Sequence, residues 1–299
     1  MIAVSVRDIR KSYGGTEALK GLSFDVEKGE LFGIIGPDGA GKTTLFRILT
    51  TLLKADGGVA RVDGFDVLTD YRRIRQRAGY MPGRFSLYQD LTVEENLSFF
   101  ASVFGVRTED NYRLVEDIYR QLEPFKNRRA GKLSGGMKQK LALCCALIHR
   151  PSALFLDEPT TGVDPVSRRE LWQMLRRLRE QQITILVSTP YMDEATLCGR
   201  IALMSGGTFL TVDTPAGIVE KFDRPLYAAS SSGMSRLLRD LRLMPEVTAC
   251  YAFGDVHHVT LRPDADISAL RNRIKHADVS IRPVTPTVED CFMALRHTR

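Results

Sequence analysis

Long apolar runs are what this sequence most lacks. The longest near its middle, "LALCCALI" at residues 141–148, falls far short of the roughly 20 residues that a membrane-spanning helix needs. The N-terminal "MIAVSVRDIRKSYGG" shows none of the basic, apolar and small-residue succession of a secretory signal. The chain is therefore expected to stay in the cytosol unless a partner holds it at a membrane. Cysteines number five, an odd count with no C-x-x-C pair, which argues against a disulfide framework and for reduced thiols. Cys144 and Cys145 sit in a helical pattern and read as small core residues. Internal repeats and low-complexity tracts are missing too, which leaves ordinary globular domains.

What is present fits that frame. A chain of 299 residues can build one large core and a small second domain. Hydrophobic residues at 43% and charged residues at 26% make an ordinary soluble composition. The net charge of +6 would suit nucleic acid, phospholipid headgroups or nucleotides. Arginines are spread along the whole chain, however, so a solvated surface is the plainer reading and nucleic acid is not expected as a partner.

Strand and helix patterns alternate. "IAVSV", "LFGII", "ALFLD" and "ITILVS" read as strands, and "TLFRILTTLL" as a helix. In "TVEENLSFFASVF", Val93, Leu97, Phe100, Ala101 and Phe104 recur at helical spacing, with Thr92 and Glu95 as a capping box. Such alternation implies an α/β fold, a mostly parallel sheet covered by helices. Residues 85–150 lack strong strands and read as a helical insertion. After residue 222 the pattern changes. "SGMSRLLRDLRL", "VTACYAF", "HHVTLRP", "ISALRNRIKH" and "VSIRP" predict helix, strand, strand, helix, strand, a small α+β domain over residues 223–299. His257 and His258 there have no ligand-spaced partner and read as plain strand residues.

The chemistry concentrates in three stretches. "GPDGAGKTT", residues 36–44, matches G-x-x-x-x-G-K-[ST] between an apolar strand and a helix, the context that separates a phosphate loop from a chance match. In the loop of Gly36, Pro37, Asp38, Gly39, Ala40 and Gly41, ahead of Thr44 in the helix, the glycines would let backbone N–H groups turn inward around phosphates. The helix N-terminus adds partial positive charge. Lys42 would reach the outer phosphates and the Thr43 hydroxyl would bind Mg²⁺. "ALFLDEP" ends a buried strand in Asp157, placed to hold the metal directly or through water. Glu158 follows as a carboxylate that could orient or deprotonate a water. "KLSGGMKQK", residues 132–140, offers Ser134 as a helix cap, with Gly135 and Gly136 letting backbone donors approach an anion. Alone it would be an ordinary capped helix start.

In this order, the phosphate loop, "LSGGMKQK" and "LFLDEPTTGVD" resemble the nucleotide-binding subunits of ATP-binding cassette (ABC) proteins, over about residues 2–222. The resemblance implies a P-loop ATPase fold with N-terminal antiparallel strands, and ATP with Mg²⁺ as ligands. It implies a head-to-tail dimer with a second cassette, like or unlike, that sandwiches two ATP molecules. Ser134, Gly135 and Gly136 would contact the γ-phosphate held by the partner cassette. Asp164 matches the aspartate that crosses the interface, although Asp164-Pro165 is equally a good start for the following helix. Tyr13 matches the aromatic that stacks on adenine, or is simply an aromatic at a strand end. "TTGVDPVSRRELW", "YMDEA" and "PTVEDCFMAL" resemble the ATPases of ABC-2-type and multidrug exporters. That implies separate membrane-spanning permease subunits and a place at the inner face of the membrane through them. Phe85, Leu87, Tyr88, Phe99 and Phe100, within residues 83–104, would help form the groove that receives a permease coupling helix.

Two positions depart from the pattern. After "GYMP" the family usually has glutamine, which contacts Mg²⁺ and the attacking water; here stands Gly83. Gln89 is no substitute by register. In "VSTPYMDEA" the usual γ-phosphate-binding histidine is Pro190, with neither imidazole nor backbone N–H, though acceptable at the first turn of a helix. Nucleotide binding is expected to survive and hydrolysis at this chain's own site to be slow. A regulatory nucleotide-binding module with little turnover stays open as an alternative, as does a soluble ABC ATPase outside transport. A small phosphate-loop kinase would leave "LSGGMKQK" unexplained.

Overall fold

A computed structural model of the chain describes residues 1–265, 267–274 and 278–297. It divides into two compact units, Met1–Thr214 and Pro215–Arg299.

In the first unit, chain order runs β1 (Ile2–Tyr13), β2 (Thr16–Glu27), β3 (Leu31–Ile35), α1 (Lys42–Leu49), β4 (Gly57–Val62), β5 (Phe65–Asp66), α2 (Tyr71–Arg75) and β6 (Ala78–Met81). Then follow α3 (Val93–Val103), α4 (Tyr112–Leu122), α5 (Gly135–Leu147), β7 (Ala153–Asp157), α6 (Pro165–Glu180), β8 (Thr184–Thr189), β9 (Arg200–Ser205) and β10 (Thr208–Asp213). β2-β1-β4-β5 form an antiparallel sheet, and β10-β9-β3-β8-β7-β6 a second sheet in which all but β10 run parallel. Every residue of β3, β7 and β8 is buried, which is why each reads as a near-continuous apolar run. Phe46 of α1 meets Phe155 of β7 edge-on, tying the first helix to the sheet centre. Between residues 93 and 147 the regular elements are the helices α3, α4 and α5 with short 3-10 turns, and no strand is formed there. The Thr92–Glu95 capping box starts α3.

One helix is shorter than its apolar pattern. "TLFRILTTLL" predicts helix through residue 53, but α1 stops at Leu49. Thr51 takes φ 64, a left-handed value, and Arg75 holds its hydroxyl and carbonyl at 2.8 Å each. A tertiary contact ends the helix there, and sequence periodicity cannot show such a contact.

Register decides where the chemistry sits. Ile35 pairs with Thr189, Asp157 with Ser188 and Met81 with Leu156. The segments leaving β3, β7, β8 and β6 therefore emerge side by side at one carboxyl edge of the sheet, where open α/β sheets bind ligands.

The second unit holds α7 (Pro215–Glu220), β11 (Leu226–Ser230), α8 (Met234–Arg242), β12 (Val247–Phe253), β13 (Val256–Leu261), α9 (Ile267–Arg273), β14 (Ser280–Pro283) and α10 (Val288–His297). From β11 to β14 this is a βαββαβ unit, with antiparallel sheet order β12-β13-β11-β14, the ferredoxin-like arrangement. The sequence pattern omits β11, a short run rich in small residues that becomes a central strand. Of the predicted helix "ISALRNRIKH", Lys275 and His276 lie outside the described residues. His258 is more than a plain strand residue: its Nδ1 lies 2.6 Å from Asp290 Oδ1 of α10. Tyr251 OH also donates to that carboxylate, and Thr287 donates to its other oxygen from N and Oγ1, at 2.7 Å each.

Candidate functional site

The loop over residues 36–44 leaves the centre of the parallel sheet. Gly36 N donates to Thr189 O at 3.2 Å, and a Cβ on Gly36 would stand 2.2 Å from the carbonyl of Met204. Only glycine fits there. Gly41 caps α1 at φ 109, and a Cβ on it would meet Ala18 O at 2.6 Å. The first N–H groups of α1 have no acceptor within their own helix and face the loop. Pro37, Asp38 and Gly39 lie toward solvent, Ala40 is buried, and Thr43 and Thr44 are half-buried on the first turn of α1.

Lys42 is 2% exposed. Its Nζ donates to Gly36 O at 2.7 Å and Pro37 O at 3.0 Å, and pairs with Glu158 Oε1 at 3.0 Å. The ammonium is thus held inside the loop by neutral carbonyls and one carboxylate. Asp157, the last residue of β7, is buried and accepts from Ser188 Oγ at 2.7 Å. Glu158 has φ 51, and its N–H donates to both the carbonyl and the hydroxyl of Ser188 at 3.0 Å. A non-glycine residue in that region stores backbone strain, here held by two hydrogen bonds and aiming the carboxylate at Lys42.

Gly83 reaches the same edge. A Cβ built on it would lie 3.0 Å from Asp157 O and 3.7 Å from Glu158 Cβ. The position is thus beside the acid pair, as the motif order implies. Gln89 stands elsewhere, accepting at its carbonyl from Gly131 N at 2.8 Å. Pro190 follows Thr189 directly, but the helical turn begins only at Met192, so Pro190 is in the link before it rather than in a first helical turn.

A second group gathers at the start of α6. Ser134 caps α5, its Oγ accepting from Met137 N at 3.4 Å. Asp164 caps α6, with Oδ1 accepting from Val166 N at 3.1 Å and Ser167 N at 3.0 Å, and these donors lower its pKa, Ser167 first. The cap reading of Asp164 therefore holds in the structure. A Cβ on Gly136 would stand 2.4 Å from Ser167 Oγ, while Gly135 faces Gly162 O. Tyr13 ends β1 and is 47% exposed, with Lys11 Nζ lying 5.8 Å from its ring centroid.

The chain matches known proteins. The family model for ABC transporters fits residues 19–161. A Nod factor export ATP-binding protein I of Burkholderia lata is 39% identical over 220 residues, covering 73% of this chain and 72% of that protein. The chain belongs to the ATP-binding proteins of ABC transporters. The probable multidrug ABC transporter ATP-binding protein YbhF of Escherichia coli (strain K12) is 39% identical over 300 residues, covering 98% of this chain and 52% of YbhF. The chain thus spans about half the length of that relative. Among solved structures, the dimeric post-hydrolysis state of the ATP-binding cassette MJ0796, bound to ADP and Pi, has a TM-score of 0.64 at 26% identity, covering 71% of this chain and 98% of that one.

The cassette also carries a largely apolar groove of about 350 Å³ between the sheet edge and the helical segment. Leu52, Tyr80, Leu87, Phe100, Val103 and His149 are among its lining residues. Of the aromatic and apolar residues expected there, Leu87 and Phe100 line it. Tyr88 and Phe99 instead form an exposed edge-on pair 4.8 Å apart, and Phe85 lies under Lys138. His149 stacks on Phe104 with ring centroids 3.7 Å apart, and burial pulls its imidazole from 6.5 down to about 4. Among the described residues no helix is long and apolar enough to cross a membrane.

Sequence reasoning missed Ser188 and Thr189, which touch the acid pair and the phosphate loop, and the buried Glu194 behind Thr189. "VST" signals only a strand, and "YMDEA" served only as a family marker. The strand register brings the hydroxyls of Ser188 and Thr189 to the acid pair and to Glu194.

Proposed function

We propose that this cassette binds Mg-ATP at residues 36–44 and, in a head-to-tail dimer with a second cassette, powers an ABC-2-type exporter. One observation carries the reading. Lys42, Asp157, Glu158 and the residues at 83 and 189–190 converge on a single sheet edge beside a loop whose Gly36 and Gly41 have no room for a Cβ. The donor set fits the ligand. A buried ammonium and helix N–H groups suit phosphate oxygens, and the Thr43 hydroxyl with the Asp157 carboxylate are hard oxygen donors of the kind magnesium takes. When bound, the metal neutralises charge on the outer phosphates.

The residues do the remainder. Phosphate oxygens compete with Glu158 for the Lys42 ammonium. Binding thereby frees the Glu158 carboxylate to orient a water. Ser134, Gly135 and Gly136 would present donors to the partner's nucleotide, with Asp164 at the interface and Tyr13 against adenine. The apolar groove would seat a permease segment, and closure of the dimer would move it. Residues 1–222 would form the ATP-binding domain and residues 223–299 an accessory domain. With Gly83 and Pro190 in place of glutamine and histidine, the chain's own site holds ATP and turns it over slowly, while "LSGGMKQK" completes the partner's site.

The test is Mg-ATP titration of the chain and of Lys42→Ala. Loss of a charge-assisted phosphate contact, about 1.5–3 kcal/mol, weakens binding roughly tenfold to a hundredfold. An unchanged Kd rejects the phosphate-loop assignment. Phosphate release with and without the membrane subunits then separates a coupled ATPase from a regulatory module, which would not speed up.

A further inference from the structure

Glu194 lies four residues beyond Pro190 and is 1% exposed. Both of its carboxylate oxygens are occupied. Oε1 accepts from Arg168 Nε at 2.6 Å and from Trp172 Nε1 at 2.8 Å. Oε2 accepts from Thr160 Oγ1 at 3.1 Å and from Thr189 Oγ1 in a closer contact. The donors come from three separate stretches. Thr160 is two residues past Glu158, Arg168 and Trp172 are on α6, and Thr189 ends β8 just before Pro190. Arg168 adds two bonds of 2.8 Å to Asp193 and stacks 4.4 Å from the centre of the Tyr191 ring. A buried carboxylate is stable only while such partners stay in place, so movement of one donor is felt by the others.

α6 continues the connection. Its Ser167 packs so closely on Gly136 that no Cβ fits between them, and Glu170 pairs with Lys140 of α5 at 2.6 Å. Thr189 touches the phosphate loop itself, its carbonyl accepting from Gly36 N. One contiguous set of contacts therefore runs from the chain's own phosphate loop, through Thr189 and Glu194, along α6, to the glycines of "LSGG".

We propose that Glu194 is a positioning residue that couples the γ-phosphate end of this chain's own site to its "LSGG" segment. ATP in a slow site would thereby set the donors offered to the partner cassette. The proposal rests on the reading that residues 36–44 hold ATP. Coupling needs a differential response to the γ-phosphate, because a ligand that treats both arrangements alike shifts nothing.

The protein carries its own reporter. Trp172, bonded to Glu194, is the only tryptophan in the sequence. Its emission is recorded during titration of the full chain with Mg-ATP and, separately, Mg-ADP, with affinities measured in parallel by competition against a fluorescent nucleotide. The unmodified chain is expected to change Trp172 emission with ATP and not with ADP. In Glu194→Gln the ATP-specific signal disappears and the preference for ATP over ADP falls by about tenfold, within the range of ordinary site-to-site coupling. Affinity for ADP stays as it was. A Trp172 response equal for the two nucleotides, an ATP signal that survives Glu194→Gln, or an equal loss of both affinities overturns the coupling. Failure of the unmodified chain to bind either nucleotide overturns the phosphate-site reading, and the coupling with it. Should Glu194→Gln not fold because Arg168 loses its buried partner and keeps only the exposed Asp193, Arg168→Gln with Glu194→Gln removes both charges of that pair and faces the same readouts.

Discussion

Replacing Gly83 by glutamine tests why a glycine stands beside the acid pair. The new Cβ would lie 3.0 Å from Asp157 O and 3.7 Å from Glu158 Cβ. The first contact is a few tenths of an ångström too close, so the link after β6 must shift slightly. Gly83 is exposed and outside the left-handed backbone region, so the shift costs only about 1 kcal/mol of overpacking. What the amide adds is an anchor for water next to Glu158. Loss of such positioning costs on the order of a hundredfold in rate. Pro190→His adds a donor toward the γ-phosphate, about 2–4 kcal/mol of transition-state stabilisation. The expected series for phosphate release at saturating Mg-ATP is no gain for Gly83→Ala, a partial gain for Gly83→Gln and the largest gain for Gly83→Gln with Pro190→His. Gly83→Ala makes the same Cβ contact without the amide, so it isolates packing from chemistry, and melting temperatures measured alongside confirm the small packing cost. Vigorous turnover by the unmodified chain with no gain in the double variant would refute the slow-site reasoning. So would an equal gain from Gly83→Ala.

Other outcomes follow from single contacts. Gly36→Ala drives a methyl into the backbone carbonyl of Met204, which cannot rotate away, and is expected to destabilise the fold by about 1–3 kcal/mol or more, seen as a lowered Tm and weakened nucleotide binding. His149, held neutral by burial with its pKa lowered to about 4, favours the folded state fully above pH 6.5 and loses that contribution as pH falls toward 4. The loss is about 2–3 kcal/mol, and denaturant titrations of His149→Gln across that window should show a shallower dependence on pH. A chain ending at Thr214 retains the whole first unit and should stay folded and bind Mg-ATP; insoluble or nucleotide-blind protein would argue that the second unit is needed for the fold.

Local pattern carried much of this protein. The buried runs of β3, β7 and β8 announce parallel strands because both faces are covered, and the capping box fixes the start of α3 within one residue. The glycine spacing before Lys42 names a phosphate loop because no other residue type tolerates those backbone positions so close to Met204 and Ala18. Other features depend on partners far away in sequence. α1 ends where Arg75 grips Thr51, β11 becomes a strand only between β13 and β14, and His258 acquires its carboxylate from α10. The pairing of Ile35 with Thr189 and of Asp157 with Ser188 is likewise invisible to periodicity. Long-range packing brings Thr160, Arg168 and Trp172 to the carboxylate that the nearby Thr189 also binds. Sequence could supply the acid at 194, but a buried charge declares itself only through the donors that surround it, and tertiary structure decides which donors those are.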